Sequence, residues 1–349
     1  MLQAKIIPYT LIFNEPSGTS RGILTEKPSW FVRVCDSRNP EVFGLGEISV
    51  IPKLSPECAI ANLDEVIASK VADIDNVDIA DDSQWQGIPA IRFGIETALR
   101  DLKNGGKRIL FDSDFAQGKC GIFINGLVWM GDIETMRQRV QEKYDMGFRC
   151  IKLKIGALNF DNELKLIEFV RKEFPEVEIR LDANGAFAPE DAMKKLEKLA
   201  TFGIHSIEQP IKAGQWKTMA EICRQSPIDI ALDEELIGVE QRRTEMLETI
   251  RPKYIILKPS LIGGLAVSEK WIEEAKSLNI GWWATSALES NVGLNAIAQW
   301  VYTQRVAMPQ GLGTGMIYSN NIPSPLAVSQ ARLWHTMSSW NLTNIENVG

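Results

Sequence analysis

Six charged side chains stand where short apolar segments end, and their spacing along the chain is regular. From Lys154 onward, successive members are separated by 28, 26, 25 and 25 residues. A (β/α)8 barrel of about 250 residues uses about 30 residues per strand–helix unit, and its strand C-termini meet at one mouth, which holds the active site. The spacing therefore predicts that six side chains converge at such a mouth: Lys152, Lys154, Asp182, Glu208, Asp233 and Lys258.

The three carboxylates of this series suit a magnesium ion. Asp182, Glu208 and Asp233 would offer hard oxygen donors from three successive strands, which is the ligand type that Mg²⁺ prefers. Zinc is disfavoured, because the chain has two histidines and its five cysteines are scattered. His205 opens a strand at the end away from the mouth, so we interpret it as structural.

The lysines suit proton transfer. Side chains alternate along a strand, so Lys152 and Lys154 face the same way. Each ammonium group disfavours the charge of the other, so we expect each to lower the pKa of its neighbour. Lys154 would then serve as a general base near neutral pH.

Each charged residue also has a structural interpretation. A single carboxylate at a strand end is usually a helix N-cap or an exposed loop residue, and a single lysine there is usually solvated. The even spacing of the whole series favours a site instead. Asn184 and Glu234 follow the carboxylates closely and Arg180 shares a face with Asp182, so all three are expected to orient the ligands from behind.

The elements that would position these residues follow a simple pattern. From residue 121, short apolar segments alternate with amphipathic ones, which is typical of parallel strands covered by helices. Eight candidate strands, the last in QGLGTG (310–315), fit a closed barrel, and the tail from about 320 is loop-like. Residues 1–53 are predicted as strands and turns, and 55–105 as mostly helical. The composition of NEPSGTSRG (14–22) alone predicts a solvated hairpin loop.

Composition bounds the class of protein. The chain has 349 residues and a formal net charge of −7, which argues against nucleic-acid binding. We find no signal-peptide pattern at the start and no apolar run of the roughly 20 residues that a membrane helix needs. The cysteines have neither zinc spacing nor a disulfide framework. We therefore expect a cytoplasmic protein with a small-molecule partner, and a homo-oligomer is left open.

The charged series resembles the enolase superfamily, muconate-lactonising subgroup. This resemblance implies an α/β fold, a modified TIM barrel of the (β/α)7β type with an N-terminal α+β capping domain. The implied divisions are 1–105 for the capping domain with its lid loop, 106–318 for the barrel and 319–349 for a tail that returns to the cap. Segment 14–22 then becomes part of a lid that excludes water.

Within this subgroup, SALESNVGLNAIAQW (286–300) and GLGTGMIYSNNIPSPL (311–326) are similar to the o-succinylbenzoate synthase family. The resemblance implies a Mg²⁺-dependent syn elimination of water in menaquinone biosynthesis, with Mn²⁺ able to replace Mg²⁺. Lys154 would be the base and Lys258 would stabilise the enediolate, with Lys152 beside them. Candidate substrate contacts, chosen by position, are Arg21, Ser286, Gly313 and Thr314.

Other activities stay open. N-acylamino acid racemases share this catalytic set, and another cycloisomerase of the subgroup is an alternative. Dipeptide epimerases carry Asp-x-Asp on the last strand, whereas no Asp lies between Glu234 and the end of this sequence. The mandelate racemase branch uses a histidine base, and none lies between 206 and 334. A Schiff-base aldolase using Lys154 or Lys258, and a non-catalytic binding protein, are the remaining candidates.

Overall fold

The N-terminal part of the chain is an antiparallel sheet covered by helices. The computed structural model describes residues 1–19, 22–336 and 338–346. It begins with β1 (Leu2–Thr19), β2 (Gly22–Asp36), β3 (Asn39–Ser49), α1 (Leu63–Ala72) and α2 (Pro89–Lys103), with 3-10 turns at Pro56–Ala59, Ile74–Asn76 and Asp82–Trp85. The strands form a meander in the order β1–β2–β3. Apolar side chains of β2, β3 and α2 share one buried cluster that includes Val34, Ile48 and Ile91.

The segment predicted as a solvated loop over 14–22 is largely strand. β1 continues to Thr19, and Thr19 pairs with Gly22 at the start of β2. The register shifts between Ile12 and Ser17, as expected of a bulge that bends a long hairpin. The composition argument was therefore wrong about conformation here, because backbone pairing with β2 outweighs the local turn preferences of these residues.

Seven parallel strands form the second sheet, and each pairs with the strands that come before and after it along the chain. Helices connect successive strands, so every crossover is of the strand–helix–strand kind that the alternating pattern predicts. The elements are β4 (Ile122–Phe123), β5 (Gly126–Val128), α3 (Ile133–Asp145), β6 (Cys150–Lys154), α4 (Phe160–Glu173), β7 (Glu178–Asp182), α5 (Pro189–Ala200), β8 (Ser206–Glu208), α6 (Trp216–Gln225), β9 (Asp229–Leu232), α7 (Arg243–Ile250), β10 (Tyr254–Leu257), α8 (Pro259–Ile262), α9 (Leu265–Ser277), β11 (Gly281–Ala284) and α10 (Asn291–Thr303), with 3-10 turns at Glu234–Leu236 and Glu240–Arg242.

A two-residue segment closes this sheet into a barrel. Gln310 bridges Ile124 in parallel, and Gly311 bridges Thr285. The Gly311 N–H donates to the Ala284 carbonyl at 2.8 Å, and the Ser286 N–H donates to the Gly311 carbonyl at 3.0 Å. A Cβ at Gly311 would lie 2.4 Å from the Thr285 hydroxyl, so closure here requires glycine. The expected (β/α)7β barrel is confirmed, with its last strand reduced to this segment.

The C-terminal tail is not only loop. It forms a hairpin of β12 (Leu326–Ser329) and β13 (Arg332–His335), which pairs with β4, and a final turn of helix, α11 (Thr343–Glu346). Ile322 and Ile345 are buried with Ile7, Phe31 and Leu45 of the N-terminal sheet. The tail thus contacts the cap, while the exact limits of the three parts remain predictions. No helix within the described ranges has the length and apolar character needed to cross a bilayer.

Candidate active site

The six charged residues lie together at the C-terminal ends of neighbouring barrel strands. β6 ends at Lys154, β7 at Asp182 and β8 at Glu208, while Asp233 and Lys258 directly follow β9 and β10. Register places Lys154 beside Asp182, and Asp182 beside Glu208. The strand-end spacing in the sequence therefore places these side chains correctly, because parallel pairing aligns the ends of successive strands.

The three carboxylates form one buried cluster. Asp182, Glu208 and Asp233 each present an oxygen, and these oxygens lie within 4.8 Å of one another. The three residues are 1%, 0% and 2% exposed. A buried carboxylate is costly unless it pairs with a cation, so a cluster of three needs positive charge close by.

The pKa values of the three carboxyl groups reflect their burial and their charged neighbours. Burial raises the pKa of Glu208 to about 8; Lys152 opposes the rise, and Asp182 and Asp233 add to it. Burial also raises the pKa of Asp233 against the effect of Lys258. Burial would raise the pKa of Asp182 as well, but Lys154 and Lys152 hold it below its usual range. Three carboxylate residues that each present an oxygen to one point form a donor set that fits a hard divalent cation.

Lys152 lies beneath this cluster. Its Nζ donates to Asp182 Oδ2 at 3.2 Å and to Glu208 Oε1 and Oε2 at 3.0 and 2.9 Å. Burial would lower the pKa of Lys152, but Glu208 and Asp182 raise it above its usual range. The expected lowering by Lys154 is therefore wrong for Lys152, because two adjacent carboxylates outweigh one neighbouring ammonium group.

Lys154 and Lys258 flank the mouth. The Lys154 Nζ donates to Asp182 Oδ2 at 3.0 Å and to Asn184 Oδ1 at 2.7 Å. The Lys258 Nζ donates to Asp233 Oδ2 at 2.5 Å. β6 and β10 are four positions apart in a ring of eight, so the two lysines approach the cavity from opposite sides.

The residues expected to orient the ligands separate into two groups. The Asn184 side chain donates to Glu234 Oε1 at 2.9 Å and accepts from Lys154, so Asn184 and Glu234 do join the site. Arg180 is fully buried below it, where its guanidinium donates to Glu178 and to the Pro309 carbonyl. Arg180 also lies 4.4 Å over the Trp283 ring, so the described contacts place it in the lower barrel layer rather than on the carboxylates.

A cavity of about 280 Å³ opens above Lys154 and Lys258. The cap supplies part of its wall through residues 22–24 and 51–54, which include Leu24 and Ile51. The barrel side of the lining combines apolar residues such as Leu127 and Leu288 with polar and charged ones, and Trp129 lies beside Lys154. The volume, the apolar wall and the polar groups at the strand ends suit a small organic ligand that has an apolar body and polar substituents.

The candidate substrate contacts have different surroundings. Ser286, Gly313 and Thr314 line the cavity. Ser286 donates to Glu289 Oε2 at 2.6 Å, whereas the buried Thr314 hydroxyl has no hydrogen-bond partner among the described residues. Arg21 lies outside the described residues.

The sequence reasoning missed three uncharged groups. Thr285 and Asn125 line the cavity, and within the described part of the chain the buried Thr285 hydroxyl lacks a hydrogen-bond partner. Gln209 is fully buried between the ends of β8 and β9. Thr285 and Gln209 directly follow strands, so the strand-end rule could have found them, but it was applied mainly to charged residues.

Comparison with known proteins supports this geometry. The family model described as enolase C-terminal domain-like matches residues 135–328, more than half of the chain. The chain belongs to the enolase superfamily. An o-succinylbenzoate synthase from Desulfotalea psychrophila is 47% identical to this enolase-superfamily chain over 91% of it and 95% of the relative. The resemblance seen in the sequence is therefore confirmed.

Solved structures agree with this assignment. The crystal structure of MenC from Desulfotalea psychrophila superposes with a TM-score of 0.82 at 42% identity, covering 95% of this chain and 99% of that one. A dipeptide epimerase from Enterococcus faecalis, in complex with Mg and L-Leu-L-Tyr, gives a TM-score of 0.83 at 19% identity, covering 97% of this chain and 98% of that one. The second similarity shows the fold alone.

Proposed function

We propose that this chain dehydrates 2-succinyl-6-hydroxy-2,4-cyclohexadiene-1-carboxylate to o-succinylbenzoate in menaquinone biosynthesis. The observation that carries the proposal is the pair Lys154 and Lys258, which face one cavity from opposite sides above three buried carboxylates. The similarity to the Desulfotalea enzyme selects this reaction among those that such a site can support.

Lys154 is assigned the proton transfers. In its neutral form, Nζ accepts the proton from the carbon next to the ring carboxylate, and the electron pair moves onto that carboxylate to give an enediolate. The C–O bond at the neighbouring carbon then breaks, and Lys154 returns the proton to the departing hydroxide on the same face. Water leaves and the ring becomes aromatic, so the reaction balances without a further reactant.

Lys258 is assigned a constant positive charge on the other face, where it stabilises the enediolate by charge or cation–π contact. Asp182, Glu208 and Asp233 would hold Mg²⁺, or Mn²⁺ in its place, which supplies positive charge for the substrate carboxylate. Lys152 holds two of these ligands from below, and Asn184 with Glu234 orients Lys154.

The unpaired hydroxyls support a substrate with a second polar group. Thr285 and Thr314 line the cavity beside Ser286, at the ends of the last two strands. Because buried hydroxyls are normally paired, these two are expected to bind the succinyl arm. The apolar walls formed by Leu24, Ile51 and Trp129 suit the ring.

The test is direct. The purified chain, incubated with the cyclohexadiene substrate and Mg²⁺, should remove the diene absorbance and yield o-succinylbenzoate. Treatment with EDTA should stop turnover, and added Mg²⁺ should restore it. A chain that is folded and loaded with Mg²⁺ but leaves the diene unchanged would contradict the proposal, while activity that survives EDTA and is trapped by borohydride would indicate Schiff-base chemistry.

N-acylamino acid racemisation is the second candidate. The opposed positions of Lys154 and Lys258 suit a two-base transfer, in which one lysine removes the α-proton and the other delivers a proton to the opposite face. In D₂O, both enantiomers of an N-succinylamino acid should then acquire deuterium. Exchange in neither enantiomer would exclude this activity.

A further inference from the structure

Gln209 follows the carboxylate residue Glu208, and its side chain crosses to the next ligand-bearing segment. Its Oε1 accepts the backbone N–H groups of Asp233 and Glu235 at 3.2 and 3.3 Å. Its Nε2 donates to the Ile211 carbonyl at 3.0 Å and to Glu235 Oε2 at 2.9 Å. These contacts use both N–H bonds of the carboxamide and give its oxygen two donors. Turning the amide over would place Nε2 against the two backbone N–H groups and Oε1 against the Ile211 carbonyl and the Glu235 carboxylate.

The backbone of Gln209 makes the remaining connections. Its N–H donates to the Ala231 carbonyl at 2.9 Å, and its carbonyl accepts the Gly185 N–H at 2.6 Å. Gly185 lies in the turn that follows Asp182. Gln209 therefore contacts the segments that carry all three carboxylates. Its backbone φ is +39°, a value that a residue other than glycine adopts only when its surroundings hold it there.

We propose that Gln209 is a positioning residue that holds Asp182, Glu208 and Asp233 at the separation that Mg²⁺ binding requires. This inference rests on the proposed metal site. The three carboxylates are buried close together and repel one another, so their backbones must be held against relaxation.

The effect of Gln209, which we call the brace, is clearest at Asp233. β9 ends at Leu232, so Asp233 lies beyond the parallel pairing that fixes Asp182 and Glu208. Its N–H donates to Gln209 instead. Glu235 anchors the far side of the same turn, because its second oxygen accepts the Gly214 N–H at 2.7 Å. Without the carboxamide, the Asp233 segment loses the bond that aligns it with Glu208.

Gln299 offers a matched control. It is also fully buried, and its Oε1 accepts two backbone N–H groups, those of Leu110 and Phe111, at 2.8 and 3.1 Å. Its Nε2 donates to the Arg108 carbonyl and to Asn295 at 2.8 and 2.9 Å. Gln299 thus makes the same set of bonds, but on α10, with no described contact to the carboxylates.

The experiment measures Mg²⁺ dissociation constants of the full chain by titration calorimetry, with thermal unfolding followed in parallel. Gln209→Met should weaken Mg²⁺ binding by about 10–100-fold, the usual effect of losing a group that orients metal ligands. Gln299→Met should lower thermal stability comparably while leaving the Mg²⁺ dissociation constant within about twofold, because its bonds lie away from the site. The milder pair, Gln209→Asn and Gln299→Asn, gives the same comparison if a methionine variant does not fold.

The possible outcomes distinguish a failure of the proposed role of Gln209 from a failure of the proposed metal site. Weakened Mg²⁺ binding in the Gln209 variants alone supports the proposal. Wild-type affinity in a folded Gln209 variant, or equal weakening in both members of a pair, overturns it. A wild-type chain that binds no Mg²⁺ would overturn the metal site and the brace together.

Discussion

Lys152 and Lys154 are the same residue type two positions apart on one strand face, yet their surroundings differ. Lys152 is 5% exposed, and its ammonium group donates hydrogen bonds to both Asp182 and Glu208. Both lysines line the cavity, but Lys154 lies nearer the end of its strand and bonds to a neutral amide as well as to a carboxylate. This difference assigns an electrostatic role to Lys152 and leaves proton transfer to Lys154.

We predict that Lys154→Ala abolishes exchange of the proton next to the substrate carboxylate. Lys154 is the group assigned as the base on that face, and a positioned general base contributes at least about 10²–10⁴-fold. Lys258→Ala should also reduce turnover severely by removing the charge on the opposite face. NMR in D₂O measures the exchange, and a folded Lys154→Ala variant that still exchanges this proton would show that another residue is the base.

A second residue-scale prediction concerns Glu57, which lies outside the site. Its Oε1 accepts the Ala90 N–H at the start of α2, while no residue that the structure describes hydrogen-bonds to its buried Oε2. Burial raises the pKa of Glu57 to about 7 from 4.5. The folded state then holds more protons than the unfolded state between these values, so this group lowers stability as pH rises through that window.

Glu57→Gln mimics the protonated acid and should remove this dependence. Between pH 4.5 and pH 8, the free energy of unfolding of the variant should gain roughly 3 kcal/mol relative to wild type. Urea unfolding at several pH values provides the measurement, with the exposed Glu65→Gln as control. A constant difference between wild type and the Glu57 variant would mean that Glu57 does not titrate in this range.

The roles of Glu57 and Gln209 could not be predicted from the sequence. The charged series was predictable because parallel pairing brings strand ends together, and this rule needs only local apolar patterns. Glu57 and Gln209 owe their roles to backbone groups of Ala90 and Asp233, which a single sequence does not connect to them. The raised pKa of Lys152 was missed for a similar reason, since it depends on which carboxylates approach closest.

At the scale of elements, the cap depends on an unusually close contact between β3 and α2. A Cβ at Gly46 would lie 1.9 Å from the Gly94 carbonyl of α2, and a Cβ at Gly94 would lie 2.5 Å from Ile48. The sequence predicted strands followed by helices here, but not this distance. The glycines in GLGE and RFGI were interpretable as contact positions only once the two elements were seen to pack together.

We predict that Gly46→Ala destabilises the chain by about 3 kcal/mol or more, at the upper end of typical overpacking costs. The added methyl meets backbone atoms, so a change of side-chain rotamer cannot relieve the clash. Gly131→Ala is the control, because its nearest neighbour would be Thr135 at an ordinary 3.4 Å. Urea unfolding compares the two, and equal stabilities would show that α2 can move away at little cost.

At the scale of the whole molecule, the cap attaches to the barrel by placing carboxylates at the starts of barrel helices. Glu96 of α2 accepts the Leu265 and Ala266 N–H groups of α9 at 2.7 and 3.0 Å. Glu47 of β3 accepts the Ser290 N–H and hydroxyl at 2.9 and 2.6 Å, at the start of α10. Helix N-termini favour negative charge, so these contacts fix the cap over the mouth whose wall it completes.

Lys27 makes the Glu47 contact a buried charge pair. Its Nζ lies 3.8 Å from Glu47 and donates to Ser29 and Ser49, and both charged side chains are fully buried. Burial lowers the pKa of Lys27 against the effect of Glu47. Removing one partner leaves the other charge uncompensated, which typically costs about 3–5 kcal/mol, whereas removing both avoids that penalty.

We therefore predict strong non-additivity between Glu47→Gln and Lys27→Met. Each single variant should lose about 3–5 kcal/mol of unfolding free energy, and the double variant should lose less than the sum by about 1–3 kcal/mol. Urea unfolding of all four proteins gives the coupling energy. Turnover provides an independent readout, because a displaced cap should raise KM for the substrate in Glu47→Gln more than in the control Glu65→Gln. Additive losses with an unchanged KM would mean that the pair neither compensates charge nor seats the cap, and that the Glu96 contact alone holds it.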